Sequence, residues 1–176
     1  MGSPTVPSAD GCWWSDTALR FFWFIGTAIV TVGWVFRVPA FDYRLLIVGS
    51  VLPIVDGLFG GARALHSVTV SVVLLAVIMI ATSGRKPIRR FLLGLPIGMT
   101  LHLVFDGAWS DTDVFWWPFT GLEFSDADLP ILARGPWSVA MEAIGFVICG
   151  WLWRENAFKA RDRRRRFLSD GRLTVG

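Results

Sequence analysis

The chain has 176 residues, 53% of them hydrophobic, with a mean hydropathy of +0.54 and a formal net charge of +3. That apolar share exceeds what an ordinary soluble domain carries and points to several membrane helices. The two cysteines, Cys12 and Cys149, exclude a disulfide scaffold and a Cys-based zinc site, and the basic residues, gathered in "RENAFKARDRRRRF" and in loops beside apolar runs, speak for topology signals and anionic lipid rather than nucleic acid.

The first sixteen residues, "MGSPTVPSADGCWWSD", lack the basic and apolar regions of a signal peptide and read as a mobile extracytoplasmic leader. A bilayer core of roughly 30 Å takes about 20 apolar residues as a helix, fewer where flanks snorkel. Five stretches answer to this: 17–36, 44–59, 66–82, 91–108 and 137–153. Pro53 and Pro96 should bend the second and the fourth, which membrane helices tolerate when neighbours satisfy the freed carbonyls. Residues 109–136 form a long Trp-rich loop, and 155–176 a basic tail. The expected fold is therefore all-α: a polytopic membrane bundle of five transmembrane helices spanning 17–154.

Arg37 and Arg44 flank the first loop, "GRKPIRR" carries four basic residues, and the tail is the most basic segment. These three belong on the cytoplasmic side by the positive-inside rule. The opposite loops hold Arg63 and Arg134 against Asp111, Asp113, Glu123, Asp126 and Asp128. The N-terminus is then outside and the C-terminus cytoplasmic, as for a multi-pass protein of the bacterial plasma (inner) membrane.

An ionisable residue inside a span is costly and by default functional. Five such residues fall at one depth near the outer side: Asp56, His66, His102, Asp106 and Glu142. His102 and Asp106, at i and i+4, project from one helix face, the spacing with which a helix offers two ligands to one ion. Asp56 and His66 are joined through a Gly-rich turn and can approach the same point. Two imidazoles and two carboxylates suit a divalent metal, zinc first, with manganese or iron as alternatives. Glu142 admits three readings of equal weight: a partner to a ligand, a general base, or a packing carboxyl. Arg63 and Arg134 are candidates to clamp a phosphate, with snorkelling to headgroups as the plainer role. Ser67, Thr69, Ser71 and Thr100 read as packing hydroxyls, because no Ser-His-Asp spacing singles one out.

The motifs "LPIVD", "RALHS" and "HLVFDGAWSDTDVFWWPF", between about residues 46 and 119, resemble the YdjM-like inner-membrane proteins, described as predicted membrane-bound metal-dependent hydrolases. The resemblance implies functional positions at Asp56, Arg63, His66, His102 and Asp106, and in the Trp117-Pro118-Phe119 element. Ile54 stands where the family commonly has a first acidic residue, and there is no third histidine.

The expected function is a metal-dependent hydrolase at the outer membrane interface acting on a lipid or polyprenyl-linked phosphoester. Asp56, His66, His102 and Asp106 would bind metal, Glu142 or Asp111 would act as base or acid, and Arg63 or Arg134 would hold the phosphate. The alternative is a non-catalytic membrane subunit, in which the cluster pins the helices and the outer loop docks a membrane protein partner or a second copy. Membrane lipids are the expected surroundings in both.

Overall fold

The computed structural model describes residues 21–37, 41–59, 62–121 and 136–173. Among these the regular structure is entirely helical: α1 (Phe22–Phe36), α2 (Tyr43–Val51), α3 (Val68–Ala81), α4 (Lys86–Leu92), α5 (Gly94–Asp106), α6 (Thr112–Phe115), α7 (Pro136–Glu155) and α8 (Arg161–Asp170). Short 3-10 turns cover Leu52–Phe59, Ala64–His66 and Ala108–Ser110. The leader and residues 122–135, with Arg134, lie outside the described residues.

A helix stands at each of the five expected spans, with boundaries set by local chemistry. Asp42 caps α2 by accepting from the Arg44 N–H, and Ser67 caps α3 by accepting from Thr69. His66 therefore precedes its helix, in a 3-10 turn. At Pro53 the α2 helix passes into the 3-10 form, since proline offers no N–H to continue the ladder. Pro96 cannot donate to the Leu92 carbonyl, and the helical path breaks at Leu93 between α4 and α5. Gly107, at φ 64°, takes the left-handed conformation that ends α5 directly after Asp106.

Taken as one run, Lys86–Asp106 has 21 residues and is long and apolar enough to cross a membrane; α1 and α3 are apolar but shorter. Of the five expected spans, that run is thus the one among the described residues that meets the length and composition of a crossing.

The most extensive helix contact is α2 against α5, which run parallel. A Cβ on Gly49 would collide with the Leu95 carbonyl, and one on Gly98 with the Leu46 carbonyl. Glycine lets the two backbones touch, as small residues do at membrane helix interfaces. At Gly145 of α7 a Cβ would strike the backbone of Phe22 and Trp23, so α1 and α7 are equally close. One buried apolar cluster, Ala28, Ile29, Val32, Tyr43, Leu46 and Leu152, joins α1, α2 and α7. A second, Phe24, Ala62 and Val114, lies at the opposite end of α1 and borders the polar group described next.

Candidate metal centre

His66, His102 and Asp106 are buried together, and each offers a ligand atom within 4.8 Å of the other two. The 3-10 turn Ala64–His66 delivers the first, and α5 delivers the other two from one face, as the i, i+4 spacing predicts. Exposure is 1% for His66, 2% for His102 and 0% for Asp106. Three ionisable side chains so completely withdrawn from water require strong mutual or ionic compensation.

Each imidazole has one nitrogen already engaged. His66 Nδ1 lies 3.1 Å from Asp56 Oδ2, an oxygen that also accepts from the backbone N–H of His66 and of Arg63. His102 Nδ1 lies 2.7 Å from the carbonyl oxygen of Ser50. With Nδ1–H donating in both rings, the lone pair of each sits on Nε2, and His66 Nε2 is 3.6 Å from Asp106 Oδ2. The edge of a tetrahedron with Zn–N and Zn–O bonds near 2.1 Å is about 3.4 Å, so this separation suits a shared small divalent ion. Imidazoles fixed by a carboxylate or a carbonyl on their far nitrogen are how metal-binding histidines are oriented and made more basic.

The Ser50 carbonyl is open for a local reason. In the i→i+3 pattern that follows α2, its donor would be Pro53, which has no N–H. The α2–α5 contact at Gly49 and Gly98 then brings this carbonyl to His102. Phe24 of α1 stacks on the His102 ring, 3.9 Å between centroids, and closes its other side.

The four expected ligands thus divide: His66, His102 and Asp106 form the group, while Asp56 stands behind His66 and orients it. Arg63, half-buried, belongs to the same turn and donates its backbone N–H to Asp56. Glu142 is engaged elsewhere. Its Oε1 accepts from the N–H of Phe22 at 2.9 Å and its Oε2 from that of Trp23 at 3.1 Å, so it caps α1 from α7 and satisfies two donors at the positive end of a helix. Asp111 caps α6, accepting from Asp113 and Val114. Ser67, buried at 0% exposure, donates to the carbonyls of Phe115 and Trp117 and ties the Trp-Pro-Phe segment to the turn that carries His66.

Sequence reasoning did not find Ser50 or Phe24 as neighbours of the site. The Leu52-Pro53 pair was the available signal for the open carbonyl; nothing local marks Phe24.

No family model, no curated protein and no solved structure matches this chain.

Proposed function

We propose that this chain is a membrane-embedded, metal-dependent hydrolase of the YdjM-like kind. Its centre would lie at the outer interface of a bacterial inner membrane and act on a lipid or polyprenyl-linked phosphoester. The observation that carries the metal assignment is the convergence of His66, His102 and Asp106 with both Nδ1 atoms already engaged. Two histidines and one carboxylate are the protein ligands of several hydrolytic zinc sites, which keep a further position open. A divalent ion held there, zinc first, would polarise a phosphoryl or acyl oxygen and acidify water toward neutrality.

In this scheme Asp56 holds the His66 ring and Ser50 the His102 ring. Arg63, in the turn between Asp56 and His66, is the nearest described guanidinium in sequence and would clamp a phosphate bidentately. Glu142 and Asp111, which cap α1 and α6, are left out of this scheme.

Membrane embedding is supported by an inverted distribution of polarity. On α3 the buried residues are Ser71 and Ile78, while Val72, Val73, Leu75, Val77, Met79 and Ile80 are exposed. Buried polar side chains elsewhere include Thr27, Ser50, Asp56 and Ser67. Water penalises such an apolar exterior and hydrocarbon does not. The polarity of the ends supports the orientation with the C-terminus cytoplasmic: Arg37, Arg44, Arg85 and Arg154 cluster at one end and the His/Asp group at the other, because α2 runs parallel to α5 and α1 parallel to α7.

A second reading, a non-catalytic subunit pinned by the same ion, is favoured by the burial of all three ligands. Elemental analysis of purified protein beside His102→Ala and Asp106→Ala tests the metal centre; near-stoichiometric metal in wild type and its loss in both variants is expected. Absence of metal from all three sinks the assignment. Turnover of lipid phosphates in detergent then separates the readings: a metal-loaded protein that hydrolyses none of them is the subunit.

A further inference from the structure

The tail beyond α7 is a folded element with its own place in the molecule. After Glu155 the chain reverses through 156–160, with Ala157 at a positive φ of 49°, and enters α8. Trp153, Phe158 and Phe167 pack in series, the first pair tilted and the second edge-to-face, with ring centroids 5.3 and 5.4 Å apart. Phe167 and Leu173 pack against the buried cluster of α1, α2 and α7. At the end of α8, Gly171 takes φ 66°, and its carbonyl accepts from the N–H of Tyr43 at 2.8 Å. Arg44 donates to the Leu168 carbonyl at 2.8 Å while lying over the Phe91 ring of α4. The C-terminal end of the helix is therefore fastened to the bundle end opposite the His/Asp group.

The first turns of α8 are ringed with arginine. Arg161, Arg163, Arg164, Arg165 and Arg166 are exposed, and among the described residues none of them takes part in an ion pair. Five arginines within six positions, against the single carboxylate of Asp162, repel one another, a cost that a counter-charged surface lowers. Next to them is an apolar rim, with Trp34, Phe36, Trp151, Trp153 and Leu168 all exposed. Indoles beside guanidinium groups are what a membrane–water boundary accommodates, with rings at headgroup depth and charges on the phosphates.

We propose that α8 is a built lipid-binding element, ringed by Arg161 and Arg163–Arg166, whose membrane-facing guanidinium groups bind the phosphates of anionic phospholipids on the leaflet opposite the candidate metal centre. The inference rests on the membrane reading given above for its leaflet. A bidentate guanidinium–phosphate contact favours arginine over lysine at the lipid-facing places.

The test uses the full chain extracted in polymer discs from membranes of phosphatidylcholine mixed with phosphatidylglycerol. The lipid in each disc is compared with the bulk ratio. Wild type is expected to enrich phosphatidylglycerol several-fold, the enrichment falling in high salt. R163Q/R164Q/R165Q/R166Q should return it to the bulk ratio, while the matching four-lysine variant, which keeps the charge but not the bidentate fork, should fall between the two. If the glutamine variant does not fold, the salt series and the lysine variant decide. Equal enrichment in wild type and a folded glutamine variant overturns the proposal, as does wild-type retention of a DNA duplex in place of phosphatidylglycerol. Should the chain purify without detergent or polymer, the membrane-spanning reading fails by itself. Flotation with vesicles of phosphatidylcholine alone and of the mixture then reads the arginines of α8 independently.

Discussion

The carbonyl oxygen of Ser50 and Nδ1 of His102 meet at 2.7 Å across the α2–α5 contact, where two glycines let the backbones touch. This bond sets which nitrogen of His102 faces Asp106. It survives only while the two helices keep their separation. A methyl at Gly98 would press on the Leu46 carbonyl and lie 2.7 Å from the Ser50 N–H nitrogen. Gly98→Ala is expected to cost about 1–3 kcal/mol by overpacking and to weaken metal binding as well. Thermal denaturation in detergent and competitive chelation read the two effects; an unchanged midpoint with unchanged affinity contradicts this account of the contact.

If the group holds a metal, Asp56 acts on it through His66, so its removal should weaken the site without abolishing it. Asp56→Asn keeps shape but loses the charge, and outer-shell substitutions of this kind lower metal affinity about 10–100-fold. Titration against a chelator gives the number. If Asp56→Asn loses metal as completely as Asp106→Ala, then Asp56 is itself a ligand.

Glu142 should matter to stability and leave the metal in place. Its carboxylate satisfies the Phe22 and Trp23 N–H groups, and loss of a helix cap costs about 0.5–2 kcal/mol. Glu142→Ala is expected to melt lower with wild-type metal content, measured on one preparation. Loss of the metal alone, at an unchanged melting point, would assign Glu142 to the centre instead.

Ser67 joins the turn carrying His66 to the segment carrying Phe115 and Trp117. Ser67→Ala removes both donations and leaves two loop carbonyls to find other donors. The expected result is faster metal release to a chelator, with a stability loss of about 1 kcal/mol. Release kinetics identical to wild type would mean that the loop does not cover the centre.

Orientation in the membrane is open to cysteine labelling in a background lacking Cys12 and Cys149. Phe119 is 81% exposed at the end that carries the His/Asp group, and α8 is at the other. Phe119→Cys should react with an impermeant maleimide on intact spheroplasts, and Arg165→Cys only after permeabilisation. The reverse pattern inverts the proposed topology.

Local chemistry decided a good deal in advance. The positions of the helices follow from apolar runs closed by Asp42, Ser67 and Gly107, whose capping acts within a few residues. The pairing of His102 with Asp106 follows from helical periodicity alone. The likeness of Asp56 to the other carboxylates, by contrast, did not reveal that it would orient the His66 ring. Glu142 looked like part of the same layer, yet it caps a helix 120 residues away in sequence. Phe24 and Ser50 carry no mark of the site in their own neighbourhoods. A side chain's distance to its own helical neighbours is fixed by 3.6 residues per turn, but its partners on other helices depend on how closely the backbones approach. Here that approach is set by Gly49, Gly98 and Gly145, where the missing Cβ allows contacts that any larger residue would push apart. The sequence by itself therefore determined helices, their ends and the pairing of His102 with Asp106; only the tertiary structure decided that His66 joins them and that Asp56 and Ser50 hold the rings in place.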